Sequence, residues 1–161
     1  MSMEFHEFVE GMRHAGASHE VVKKLIHMTG WDEFSRHPRA PEWALWYASN
    51  VVRGRWPEGE SIISAHPEWA CLYASDILRH RWPEAEPAIS QHPFLAMMYA
   101  QDVLRSRWPE VEPLISTDAE AAYHYARDVI GGRWPEAEPT ILSDDDYAWR
   151  YEHEVLGKTE S

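Results

Sequence analysis

Arg55-Trp56-Pro57-Glu58 recurs as Arg81-Trp82-Pro83-Glu84, Arg107-Trp108-Pro109-Glu110 and Arg133-Trp134-Pro135-Glu136, each copy 26 residues after the one before. A period kept without slips over four copies means that one supersecondary unit is repeated. Working outward from it divides the chain into 41–66, 67–92, 93–118, 119–144 and a shorter fifth piece, 145–161.

Numbered 1 to 26 within a unit, position 4 is always alanine (Ala44, Ala70, Ala96, Ala122, Ala148) and position 7 always tyrosine (Tyr47, Tyr73, Tyr99, Tyr125, Tyr151). Position 8 is alanine until Glu152 replaces it, and positions 11 and 12 are Val, Ile or Leu in every unit. Positions 4, 7, 8, 11 and 12 make one stripe at helical spacing, so the first half of a unit is expected to be an amphipathic α-helix of about three turns. Position 26 of the preceding unit, such as Asp118 or Asp144, suits its N-cap, and Pro41, Pro67 and Pro93 suit its first turn.

Trp-Pro-Glu should end that helix and open a shorter second one, with Ile63, Ile89, Ile115 and Ile141 turned to the core at position 23. Glutamates at positions 18 and 20, such as Glu84 and Glu86, favour the positive end of its dipole. A second proline, as in Pro87, either kinks it or delays its regular start. Neither helix can bury its face alone, but stacked units can. The expected fold is therefore all-α, an α-solenoid of two-helix repeats. The fifth piece, with polar Glu152, His153 and Glu154, reads as a capping helix. Glu4–His14 and Ser18–Met28 read as two more helices, broken at Gly16 and Gly30, so that 1–40 forms a helical cap on the stack.

The stretch Tyr125-Ala126-Arg127-Asp128-Val129-Ile130-Gly131-Gly132-Arg133-Trp134-Pro135-Glu136-Ala137-Glu138 resembles a short helical repeat of proteins encoded by tailed bacteriophages and some bacteria. The likeness covers 41–161 and leaves 1–40 unmatched. It implies the helical-repeat fold and a phage or prophage origin, with a host protein as partner, and it carries no single activity.

Composition narrows the chemistry. The net charge is −12; residues 1–40 hold six acids and five bases, and 41–161 hold 21 acids and ten bases. Such a surface repels phosphate backbones, so direct nucleic-acid binding is not expected. Cys71 is the single cysteine and permits neither an internal disulfide nor a cysteine zinc cage. Met1 to Glu10 alternates apolar and acidic residues, which is not the pattern of a signal peptide, and no apolar run approaches a membrane span. A cytoplasmic protein is expected, in the host cytosol if phage-encoded.

No catalytic residue, metal ligand set or cofactor site stands out. His66 and His92 occupy position 26, where the next units carry Asp118 and Asp144, and that interchange suits a helix cap better than a metal. His6-Glu7-Phe8-Val9-Glu10 lacks the second histidine of a zinc helix, and Gly131-Gly132 is a terminator rather than a phosphate loop. Trp56, Trp82, Trp108 and Trp134, with Tyr47, Tyr73, Tyr99 and Tyr125, recur too regularly for a base-stacking ladder and are expected in the core. Arg55, Arg81, Arg107 and Arg133 are expected to pair with an acid such as position-10 Asp76, Asp102 or Asp128.

Columns that vary are free to specialise. A wheel at about 100° per residue puts position 6 opposite the core stripe. Position 6 reads Trp46, Leu72, Met98, His124, Arg150, and Phe94 at position 2 of the third unit joins that face. With Arg53, Arg79 and Arg105 at position 13 flanking them, these residues are the candidate partner-binding ridge. Cover by 1–40, closest at Trp46, is the competing expectation, and a homodimer through the ridge stays open. A binding protein that inhibits a host defence or regulatory factor, an acidic mimic of DNA, and an enzyme or small-molecule binder using a concave groove are the functions to be weighed.

Overall fold

The computed structural model describes residues 3–157, and among them every regular element is helical. The last four residues of the expected capping piece and the first two of the N-terminal stretch lie outside the described residues. The chain forms two compact units, Met1–Leu78 and Arg79–Ser161.

In the first unit, α1 (Phe5–His14) opens on a capping box between Glu4 and Glu7, and α2 (His19–Ile26) opens on Ser18, whose hydroxyl accepts the Val21 amide. Gly16 between them has φ +90°, a turn that side-chain-bearing residues rarely make. A third helix, Trp31–Arg36, follows Gly30, in addition to the two expected of residues 1–40. Phe8 and Phe34 pack with Trp43, Tyr47 and Trp56 of the first repeat into one buried aromatic core, and Met12 and Leu25 are buried as well. Two repeat helices, Ala40–Tyr47 and Pro67–Leu72, flank Pro57–Ser64.

The second unit repeats the pattern. Pro93–Tyr99 packs on Ala119–His124, which packs on Asp145–Arg150, with short second helices Glu86–Ile89, Glu112–Ile115 and Glu138–Ile141. The delay, rather than the kink, is what the second proline produces. Where position 21 is Pro87, Pro113 or Pro139, regular helix starts only at position 20 and lasts four residues. Where it is Ser61, the helix starts at Pro57 and lasts eight. Proline lacks the amide that would bond back to position 17, so the residues before it form a turn rather than α-helix, closed where the Ala85 amide meets the Trp82 carbonyl at 3.0 Å.

The first helix of each repeat departs from expectation. Its second half is π-helical in all five copies: Ala48–Val52, Tyr73–Leu78, Ala100–Leu104, Tyr125–Ile130 and Tyr151–Val155. Position 13 is left-handed throughout, at Arg53 (φ 55°), Arg79 (57°), Arg105 (50°), Gly131 (72°) and Gly157 (67°). In the first, third and fourth repeats that conformation turns the amides of positions 13 and 14 back onto the position-8 carbonyl, as at Ala126, which accepts from Gly131 at 2.9 Å and Gly132 at 3.1 Å. The closure is a widened form of the helix-ending motif in which a left-handed residue satisfies an orphan carbonyl. The wider turn rotates position 12 off the core: Val52 is 41% exposed and Leu78, Leu104, Ile130 and Leu156 are half-buried. Position 11 is fully buried only at Val103. The core columns are instead 4, 7, 8, 16, 19 and 23, the last being Ile63, Ile89, Ile115 and Ile141 at 0% exposure.

Asp118 and Asp144 do cap their helices through side-chain carboxylates. His66 and His92 hold the N-cap backbone conformation without a side-chain cap, and the His66 ring turns to the Ile62 carbonyl instead.

Candidate functional site

The recurring arginines take a different partner from the one expected. Arg107 makes a two-point bond to Glu112 at position 20 of its own repeat, both contacts at 2.7 Å. Arg55–Glu60, Arg81–Glu86 and Arg133–Glu138 repeat it. The position-10 acid and the position-20 glutamate each stand five residues from the arginine, one on either side, and the non-helical corner after the arginine brings it to the glutamate. Two of the position-10 carboxylates serve elsewhere: Asp128 is held by Arg127, and Asp76 accepts the Ser75 hydroxyl.

Each Arg–Glu pair is joined by the tyrosine of the following repeat. The Tyr125 hydroxyl accepts the Trp108 amide at 2.7 Å and donates to Glu112 at 2.8 Å. Tyr73 does the same with Trp56 and Glu60, Tyr99 with Trp82 and Glu86, and Tyr151 with Trp134 and Glu138. The Tyr99 and Tyr125 rings also lie against their own repeat's indoles, Trp108 and Trp134, at 5.3 and 5.1 Å. One residue per repeat therefore fastens two repeats. Burial pushes the Tyr73 and Tyr99 phenols up to about 12 and raises Tyr125 as well. Hydrogen bonds from Arg107, then from Tyr125, hold Glu112 below the usual carboxylate range.

Against this frame the candidate ridge residues separate. In the first unit, Leu72 is 38% exposed, whereas Trp46 is half-buried and lines a cleft with Met12, Ala17 and Val21 of the N-terminal helices. Trp46 is therefore partly covered by 1–40. In the second unit, Phe94 is 40% exposed and Met98, one turn along the same helix, is half-buried. Arg53, Arg79 and Arg105 are exposed, and each is the left-handed residue that ends its π turn. Their first role is thus in the backbone, a signal carried by Gly131 and Gly157 in the same column.

Position 6 turns polar at His124, and there the structure gathers a network that sequence reading missed. Tyr123 donates to Glu154 and accepts from Arg127, whose guanidinium spans Asp128, Glu154 and the His124 ring. The five residues satisfy one another. Trp149, at position 5 of the last repeat, is 53% exposed, where earlier repeats bury Cys71, Met97 and Tyr123. Among the described residues, no helix is long and apolar enough to cross a membrane, and no three His, Cys, Asp or Glu side chains are placed to hold a metal ion.

Compared with known protein families, with curated proteins and with solved structures, the chain matches none.

Proposed function

We propose that this is a non-catalytic helical-repeat protein that binds a protein partner through the positions where its repeats differ. The observation that carries this reading is the exposure of Leu72 and Phe94 on helices whose core columns are already filled. Position 2 is Glu42, Glu68, Glu120 or Asp146 in the other repeats, so Phe94 replaces an acid with a large apolar ring at solvent. Exposed aromatic and aliphatic side chains are what interface centres are made of. The likeness of 125–138 to phage-borne repeats supports a host protein as target, bound in the host cytosol, with inhibition of a defence or regulatory factor as the consequence.

Charge favours one other reading. Residues 79–161 carry 16 acids and eight bases, which suits an acidic mimic seated in a nucleic-acid groove. Affinity capture from nuclease-treated host lysate separates the two. The variant to compare with wild type is Leu72→Ser, Phe94→Glu, Met98→Ser; Trp46 is left intact because it also packs on 1–40. Loss of a captured protein in the folded variant supports the apolar contact. Capture that survives in the variant and disappears in high salt supports the mimic.

A further inference from the structure

The second unit holds two equivalent open slots beside the short second helices, lined by neither Phe94 nor Met98. One, of about 520 Å³, is lined by Arg81, Pro83, Pro87, Trp108, Glu110 and Leu114 among others. The next, of about 390 Å³, is lined by Arg107, Pro109, Pro113, Trp134 and Glu136 with Glu112 and Ser116. Each member of the second lies 26 residues after its counterpart in the first.

Each slot has the same charge sum. Arg81 is matched by Glu86 and Arg107 by Glu112 in two-point bonds, so those pairs are neutral. Glu110 and Glu136 are exposed and make no hydrogen bond or ion pair among the described residues. One carboxylate in excess of the cations therefore lines each slot beside its prolines and tryptophan. An aliphatic stem ending in a cation fits both parts, with methylenes on the prolines and the charged head at the glutamate.

The pitch fixes the spacing of such side chains. Equivalent first helices pack directly on one another from repeat to repeat, as Pro93–Tyr99 does on Ala119–His124. Packed helices lie about 8–10 Å apart. A polyproline II chain rises about 3.1 Å per residue and returns to the same face after three. The geometry points to an extended segment of a partner protein with Lys or Arg at every third residue, one basic side chain per slot. This goes beyond the proposed apolar contact and does not rest on it: no slot residue is shared with Leu72, Phe94 and Met98, so either can fail alone.

The test is fluorescence polarisation of the whole protein with a labelled (Lys-Pro-Pro)3 peptide, against a peptide of the same composition with its lysines contiguous. Glu110→Gln with Glu136→Gln removes both slot charges. Asp102→Asn with Asp145→Asn removes the same charge from exposed positions outside the slots, and circular dichroism checks that both variants are folded. Wild type binds the spaced peptide, the slot variant weakens it by about tenfold, and the control variant changes it by less than about twofold. The contiguous peptide binds several-fold more weakly than the spaced one. Equal weakening by the two variants, equal binding of the two peptides, or no binding of the spaced peptide overturns the inference.

Discussion

The hydroxyl of Tyr99 stands 2.6 Å from the backbone nitrogen of Trp82 and 3.2 Å from the Glu86 carboxylate, joining one repeat to the next through a single side chain. Tyr99→Phe keeps the ring and leaves the Trp82 amide buried without its acceptor. The expected loss is about 1–3 kcal/mol of unfolding free energy. Tyr47 has no preceding Arg-Trp-Pro-Glu, and its hydroxyl meets the Met3 thioether at 3.3 Å, a weak acceptor. Tyr47→Phe is expected to cost less than about 0.5 kcal/mol. Urea midpoints of the two variants give the comparison.

The same tyrosines set the alkaline limit. Their folded values, about 12 for Tyr73 and Tyr99, lie above the value of about 10 for a free phenol. Between those pH values the folded chain keeps protons that the unfolded chain has released. This stability is complete below pH 10 and falls as pH rises toward 12. Glu112 acts in the opposite sense. Its lowered value means that the stability it contributes is present above pH 4.5 and is lost as the solution is made more acid. Urea unfolding across pH should show a plateau between these limits, and absorbance at the tyrosinate band should show Tyr73 and Tyr99 ionising late.

Gly59 answers to its own repeat rather than to the column. Position 19 is Ala85, Val111 or Ala137 elsewhere, so Gly59→Ala looks like a restoration of the common residue. A Cβ at Gly59, however, would lie 2.3 Å from the Trp56 ring, which here sits over the glycine and stacks on Phe8 at 5.7 Å. The indole is held in the N-terminal core among the rings of Phe8, Trp31 and Tyr47. Gly59→Ala is expected to cost about 1–3 kcal/mol, measured as a fall in melting temperature. An unchanged melting temperature would show that Trp56 has another seat.

Arg105 holds a φ of 50°, a conformation that Gly131 and Gly157 adopt in the same column. Arg105→Gly relieves the clash of Cβ with the backbone and is expected to raise stability by about 0.5–1 kcal/mol. Gly131→Arg is expected to lower it by a similar amount. If Arg105 also flanks a partner, the stabilised variant binds that partner less well, and the two readouts move in opposite directions.

The period of Arg-Trp-Pro-Glu made the repeat, its boundaries and most of the core readable, because Ala96, Tyr99, Trp108 and Ile115 recur only if packing demands them. What the sequence hid were features with no fixed spacing rule. A wheel at 3.6 residues per turn cannot place Val52 or Leu78 once the helix has widened. Arg107 finds Glu112 around a corner, not along a helix. The clue to the widening, glycine at 131 and 157 beneath three arginines, was present but reads as a chain ending rather than a change of pitch. At the candidate interface, Phe94 and Leu72 were legible as apolar residues in a polar column, whereas the cover over Trp46 depended on how residues 12–21 fold, which no repeat encodes.

Frame and display meet on one short helix, Pro93–Tyr99, where Tyr99 is fully buried and Phe94 is 40% exposed. The most direct measurement is the urea midpoint of Phe94→Glu beside that of Tyr99→Phe, each followed by partner capture. Phe94→Glu should stay within about 0.5 kcal/mol of wild type, since an acid near a helix N-terminus is favourable, and should lose the partner. A midpoint that falls as far as that of Tyr99→Phe, with the partner still captured, would contradict the account by making Phe94 part of the frame.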